Sequence, residues 1–239
     1  DTQLATISLP IGSVDSYITR VNQIPMLTPE QEKTYAAMIT RMDAHIGQLT
    51  RLLEEQNLTE STVVFFCSDN GAANRYEGRF DSSGPLRGGK RDMYEGGIRT
   101  PMIVQWPGTI AAGSQSDLAW TFADFLPTAA DIAETTVDVK TDGVSVMPTL
   151  RGEPQNLSHR FLYWEFFERG FQQAVRWQDW KAIRPAPGQA LELYDLSTDL
   201  GEQTDVASGN PEVIQQIEQF LLAARTESIE FPTQKIESD

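Results

Sequence analysis

The sequence predicts a mixed α/β fold: a layered α/β region, then a small antiparallel β-sheet with a C-terminal helix. Three observations carry that expectation. An amphipathic helical stretch leads through a short turn into a continuous apolar run and then a polar loop, the rhythm of an α/β layer. Beyond residue 155, four short aromatic-rich runs are separated by turn residues, as in an antiparallel sheet. The last periodic stretch opens on Asn210-Pro211, a helix start.

Residues 1–27 carry Pro10, Gly12 and Pro25 and show no clear period. Thr28-Pro29-Glu30-Gln31 then predicts a helix start, with Thr28 as N-cap, Pro29 at the first helical position and Gln31 closing a capping box. Tyr35, Met38, Ile39, Met42, Ile46, Leu49, Leu52 and Leu53 recur at threes and fours, giving an amphipathic helix that ends near Asn57. Residues 62–67 are β-rich and apolar throughout rather than alternating, which predicts a central strand covered on both faces. Residues 84–97 hold five glycines and Pro85 and read as loop. A second short strand is expected over residues 102–106, stopped by Pro107-Gly108, and a helix over residues 124–133 with Pro127 near its first turn. Residues 143–152, with Pro148, are linker-like. The expected strands of the second part are residues 161–167, 173–177, 180–184 and 191–195. Val213, Ile214, Ile217, Phe220 and Leu221 form the apolar stripe of the terminal helix. The change of texture divides the chain into residues 1–155, the α/β core, and residues 156–239, the sheet and helix.

At 239 residues with 40% hydrophobic content the chain can bury a sizeable core, and no apolar run approaches the roughly 18 residues that span a membrane. A formal net charge of -15 argues against a nucleic-acid partner, which demands a basic face. One cysteine, Cys67, excludes an internal disulfide framework and a multi-cysteine zinc site. The chain opens at Asp1 with neither methionine nor a leader, and so reads as a processed or truncated piece. Charge is uneven: from Pro185 onward eleven acids face two bases, which reads as a solvated acidic face. Between Arg75 and Arg99, six bases face four acids among glycines, the place to look for an anion site in an acidic protein.

Ser68-Asp69-Asn70-Gly71 follows the apolar strand directly. Ligands of open α/β sheets bind beyond the carboxyl ends of strands, and a carboxylate beside a carboxamide oxygen suits a hard cation such as Ca²⁺ or Mg²⁺. Taken alone the tetrapeptide reads more readily as a tight turn, since Asn-Gly is a strong turn dipeptide. Pro85-Leu86-Arg87-Gly88-Gly89-Lys90 and Tyr94-Glu95-Gly96-Gly97-Ile98-Arg99-Thr100-Pro101 come next. Their small residues allow close backbone approach, and Lys90 offers a point charge to an anionic oxygen. No Gly-Lys-Ser/Thr ending is present, so this is not a P-loop.

The order of these pieces, from Tyr35 through Asp43-Ala44-His45, Ser68-Asp69-Asn70-Gly71, Gly88-Gly89-Lys90, Trp106-Pro107-Gly108 and Asp124-Phe125-Leu126-Pro127-Thr128, resembles the second half of the sulfatase family. That family is the arylsulfatase-like branch of the alkaline-phosphatase superfamily. Asp142-Gly143-Val144-Ser145 and the residues around 191–196 extend the resemblance less specifically. It implies the later part of an alkaline-phosphatase-like α/β sandwich and a hydrolase of sulfate esters. It implies that Asp69 and Asn70 help hold a Ca²⁺ (or Mg²⁺) ion, and that Lys90 binds the sulfate and acts in catalysis. The implied substrate is a sulfated small molecule or glycan, and the implied setting periplasmic or secreted. The family's nucleophile, a formylglycine made within a C/S-x-P-x-R motif of the first half, is absent here. A companion N-terminal segment is therefore expected, and the chain by itself should be inactive.

The remaining candidates are weaker. Cys67 ends a strand and precedes Ser68-Asp69-Asn70, so it is not the modified residue. Ser83-Gly84-Pro85-Leu86-Arg87 fits the serine form of the motif but lies within the loop before Lys90, and reads as coincidence. His45 and His159 are the only histidines, and no G-x-S-x-G elbow exists for a triad. Asn57-Leu58-Thr59 and Asn156-Leu157-Ser158 fit the glycosylation acceptor pattern. Phe161, Tyr163, Trp164, Phe166, Phe167 and Trp177 could line a sugar site, though core is the plainer reading. Two alternatives stay open: a phosphate- or carboxylic-ester hydrolase with another nucleophile such as Ser83, and a non-catalytic remnant that binds a glycan or partner.

Overall fold

The computed structural model describes residues 35–73, 82–168 and 170–231. The expected helix start at residues 28–31 lies outside them. The chain divides into two compact units, one ending at Gln56 and one beginning at Asn57.

In the first unit, the periodic apolar residues form helix α1 (Tyr35–Glu55). Asn57, which follows it, takes a left-handed φ of 55°, a conformation asparagine tolerates better than most residues and one that stops a helix.

The second unit opens with strand β1 (Val64–Cys67), paired antiparallel with β2 (Met102–Gln105) so that Val64 faces Gln105 and Cys67 faces Met102. Between them lies the glycine-rich segment, which contains a short helix, α2 (Glu95–Ile98), where loop was expected. The expectation of a central strand covered on both faces is not met. Among the described residues β1 has one neighbour, and Val64–Cys67 are half-buried. An apolar run shows that a strand tolerates burial; how many neighbours it has depends on other parts of the chain.

A 3₁₀ turn (Phe122–Asp124) runs into helix α3 (Phe125–Ile132). Asp124 is fully buried, and its carboxylate gathers four hydrogen-bond donors. The main-chain N–H of Thr121 lies 2.7 Å from Oδ2 and that of Val144 2.8 Å from Oδ1. Arg160 grips both oxygens, at 3.0 Å and 2.7 Å, the bidentate fork that best satisfies a buried carboxylate. The Thr128 hydroxyl donates to the Asp124 carbonyl and accepts from the Val146 N–H. The stretch expected to be a linker is thereby drawn into the core: it forms helix α4 (Met147–Leu150), with Pro148 in its first turn and Val146 and Met147 buried. Proline and glycine marked its ends correctly and concealed the helix between them.

Strands β3 (Phe161–Phe166), β4 (Gln172–Trp177), β5 (Trp180–Arg184) and β6 (Glu192–Asp195) form an antiparallel meander in chain order. Side chains alternate across it. Val175, Ala182 and Leu193 face one way and pack with Ile217 of helix α5 (Pro211–Ala224). Ala174, Ile183 and Tyr194 face the other way and pack with Met93, Tyr94 and Ile98 of the glycine-rich segment. Both faces of the sheet are thus covered, and one of them seats the segment that carries Lys90. Phe161 stacks against Trp177 and Phe220 with ring centroids 5.1 Å and 4.5 Å apart, and Phe161, Tyr163 and Phe220, half-buried, pack against the core. Among the described residues no helix is long and apolar enough to cross a membrane.

Replacing Asp124 with Ala leaves the Arg160 guanidinium and two half-buried N–H groups without their acceptor. Urea denaturation should show a loss of about 3–5 kcal/mol, the cost of unpairing a buried charge, while Glu134→Ala, at an exposed position, should change little.

Candidate active site

The turn after β1 and the glycine-rich segment meet through their backbones. The Gly71 N–H donates to the Gly97 carbonyl at 2.9 Å and the Lys90 N–H to the Ala72 carbonyl at 2.7 Å. There is no room for a side chain at this junction. A Cβ on Gly71 would fall 1.8 Å from the Gly96 carbonyl oxygen; on Gly96, 2.4 Å from that of Gly88; and on Gly97, 2.0 Å from that of Asp92. Glycine is required here by close approach, because each clashing atom is backbone and cannot swing aside.

The junction brings the three expected site residues onto adjoining loops. Asp69 is exposed at the tip of the turn. Asn70 is half-buried and its Nδ2 donates to the Gly71 carbonyl at 2.9 Å, which fixes the amide and leaves Oδ1 as its remaining acceptor. The Ser68 hydroxyl donates to the Asn70 carbonyl at 2.9 Å. Lys90 is exposed, held at its own main chain by Ala72. Its neighbour Arg91 sits at φ 80° and pairs with Glu168 at 2.7 Å, tying this loop to the end of the β3 strand.

Asp69 and Asn70 present hard oxygens, the right chemistry for Ca²⁺ or Mg²⁺, but two donors fall short of the 6 to 8 oxygens Ca²⁺ takes. Among the described residues no three His, Cys, Asp or Glu side chains converge. This donor set fits part of a metal site and not a whole one. The Ser83 hydroxyl donates to the Gly88 carbonyl at 2.9 Å, a bond that shapes the loop. Cys67 is a free, half-buried thiol, His45 is half-buried in α1 and His159 is exposed.

Behind the loop lies a cluster that sequence reasoning missed. Lys181, fully buried on β5, places its Nζ 2.6 Å from Glu95 Oε1 and 3.9 Å from Glu202 Oε1. The Glu95 N–H donates to Glu202 Oε2 at 2.7 Å, and Arg176 of β4 reaches Glu95 at 3.4 Å. Burial works against a charged Glu95, but Lys181, then Arg176 and Arg99, hold its carboxyl below the ordinary range. Glu202 fares otherwise: burial, reinforced by the Glu95 charge, pushes its carboxyl up to about 7 despite Lys181. Arg87 lies 3.8 Å over the Tyr94 ring, donates to the Tyr194 hydroxyl at 3.0 Å and to the Glu202 carbonyl at 2.7 Å. Both tyrosine hydroxyls donate to Glu192 Oε2, at 2.8 Å and 2.9 Å. The C-terminal acids are therefore not simply a solvated face: Glu202 is buried, Glu192 anchors two tyrosines and Glu218 pairs with Arg184 at 2.6 Å. The signals available were a lysine within an apolar strand run, Trp180-Lys181-Ala182-Ile183, and a glutamate beside Gly201; neither names its partner.

A family model described as Sulfatase matches residues 11–135. The chain belongs to the sulfatase family. A second model, described as N-sulphoglucosamine sulphohydrolase, C-terminal, matches residues 88–227 and so covers the sheet and terminal helix. Arylsulfatase A of Homo sapiens is 33% identical over 213 residues, 77% of this chain and 42% of that protein. An N-acetylgalactosamine-6-O-sulfatase of Bacteroides thetaiotaomicron is 28% identical over 242 residues, 91% of this chain and 47% of that protein. The crystal structure of Ps i-CgsB superposes with a TM-score of 0.71 at 25% identity, covering 92% of this chain and 49% of that one. The fold is thus the alkaline-phosphatase-like α/β fold of sulfatases, and this sulfatase chain spans less than half the length of these relatives.

The glycine junction gives a sharp test. Gly71→Ala drives a methyl group into the Gly96 carbonyl and should lower stability by about 1–3 kcal/mol or more, as overpacking does. Thermal unfolding measures it, and Gly113→Ala, where a Cβ meets nothing but φ is 73°, should cost about 1 kcal/mol.

Proposed function

We propose that the chain supplies part of the active site of a sulfuric ester hydrolase, acting on a sulfated small molecule or glycan as the C-terminal half of a longer enzyme. The observation that carries this reading is the backbone junction between the Asp69-Asn70 turn and Lys90, in a chain of the sulfatase family. Lys90 sends a flexible cation toward solvent from a fixed main-chain position, which suits a sulfate that must enter and leave. Its ammonium binds the anionic oxygens and stabilises charge that builds on the sulfate as the ester bond breaks. Asp69 and Asn70 would hold the cation together with donors from elsewhere in the enzyme. When bound, a divalent ion supplies Lewis-acid polarisation of the sulfate. A formylglycine nucleophile belongs to the same reading and comes from outside this chain. Ser83 gives no support to a different nucleophile, since its hydroxyl is engaged within the loop.

The test is hydrolysis of an aryl sulfate by the complete gene product that contains this chain, with and without a chelator. Lys90→Ala should lower kcat/KM about 10²–10³-fold, the usual cost of removing one oxyanion-stabilising donor. Asp69→Asn should raise the Ca²⁺ concentration needed for activity, and the 239-residue chain alone should show no turnover. A complete protein that cleaves aryl phosphates and leaves aryl sulfates intact would overturn the assignment.

A further inference from the structure

We propose that Glu202 is a proton-sensitive positioning residue: protonated, it locks the Lys90 loop onto the C-terminal sheet, and when it ionises the loop loosens and binds an anion less tightly. Only the anion clause rests on the reading of Lys90 given above.

Glu202 is fully buried, yet its two oxygens have unequal lots. Oε2 accepts the Glu95 N–H at 2.7 Å. Oε1 is buried with no hydrogen-bond partner, 3.9 Å from a Lys181 ammonium that already donates to Glu95 at 2.6 Å. One buried ammonium thus stands between two buried carboxylates and is claimed by one of them. Every charged group around the pair comes from a different place. Lys181 comes from β5, Glu95 from α2, and Arg176 from β4 through its bond to Glu95. Arg87 touches Glu202 only at its main-chain oxygen, and beyond it lies Glu192 with Tyr94 and Tyr194. Arg99 acts through Glu95. None of them donates to Oε1. The Lys181 ammonium and the Glu95 N–H favour the ionised carboxylate, but burial and the Glu95 charge outweigh them, and a proton on Oε1 removes that buried charge.

The leverage runs through the backbone. Glu202 holds the first residue of α2, Glu95. The next two residues carry the Gly96 N–H bond to Arg87 and the Gly97 carbonyl that receives Gly71. The Lys90 N–H bond to Ala72 closes the same junction. Detaching Glu95 frees the floor on which Lys90 stands.

The sign follows from the direction of each shift. Glu202 titrates near 7 in the folded chain against an ordinary 4.5, so its stabilising contribution is complete below about 4.5 and is lost as pH rises through about 7. Glu95 is shifted down, so its contribution is present above 4.5 and is lost only in acid. Between pH 5 and 8, Glu202 is the member of the pair that changes charge.

Amide hydrogen exchange at the residues of this chain within the complete gene product, read by NMR at pH 5 and pH 8 and corrected for intrinsic rate, tests the lock. Protection at the Glu95 and Gly96 N–H groups should fall by on the order of tenfold to a hundredfold at the higher pH. Val175, in the middle of the sheet, should show no such local fall. In Glu202→Gln, which mimics the protonated acid in shape, the fall should vanish. A flat wild-type profile, or an unchanged fall in Glu202→Gln, overturns the proposal. Should the variant fail to fold, the carboxyl ¹³C titration of Glu202 in the wild type decides, and an ordinary glutamate midpoint overturns it. Inorganic sulfate followed at the Lys90 N–H should bind more weakly at pH 8 than at pH 5 in the wild type, and equally in the variant. If sulfate leaves that amide unmoved while protection still follows Glu202, the reading of Lys90 and the anion clause fall and the lock stands.

Discussion

Lys181 sits in a strand whose neighbours Ala182 and Ile183 are core residues, and its ammonium is wholly cut off from solvent. An isolated charge in that position is prohibitively costly, so a carboxylate has to reach it. The Glu95 carboxylate does, and it can do so only if helix α2 lies against the sheet. Once α2 is there, Gly96 and Gly97 follow, and the turn after β1 must fit beneath them. The placement of Asp69, Asn70 and Lys90 is therefore a consequence of where one buried lysine finds its partner. Such a pair adds little net stability over a well-packed apolar substitute, but breaking one side of it is expensive. Its effect is to select one docking position of the loop over its alternatives.

A second buried carboxylate, Asp124, does comparable work with a different balance. It collects two main-chain N–H groups and both arms of the Arg160 fork, so it is held rigidly. Glu202 collects one N–H and a distant lysine. The two sites differ in how many donors the surrounding chain delivers: Asp124 is a fixed clamp, and Glu202, short of donors, is a titratable one. The titratable one lies under the loop with the candidate chemistry, and the fixed one joins α3 to the chain leading into β3.

What could be read from the sequence was whatever rests on neighbouring residues. The spacing of Val213, Ile217 and Phe220 placed α5, and the aromatic runs with their turns placed the four-stranded meander to within a residue or two. Ser68-Asp69-Asn70-Gly71 and Gly88-Gly89-Lys90 marked the two loops that do meet. Long-range pairing was hidden. Nothing near Glu202 announces a lysine on β5, and a glutamate among eleven acids looks like surface until a fold buries it. The short helix at Met147–Leu150 was masked for a related reason: Gly143 is there because a Cβ would come 1.9 Å from the Ala123 carbonyl, a tertiary demand that imitates a linker. The apolar run of β1 stated its tolerance for burial without stating how many strands flank it.

The same comparison separates the charges that build the site from those that could act in it. Of the bases that made the segment up to Arg99 look like an anion site, Arg75 and Arg79 lie outside the described residues. Arg87 is spent on Tyr194 and the Glu202 carbonyl, and Arg91 on Glu168. Among the described residues of the segment, that leaves Lys90 and Arg99, both exposed, in a chain of net charge -15. A net charge of -15 gives this chain no long-range attraction for an anion. An anion bound at this surface would depend on short-range geometry: a cation held at a fixed main-chain position. The junction beneath Lys90 is built from glycines and buried ion pairs rather than from mobile side chains.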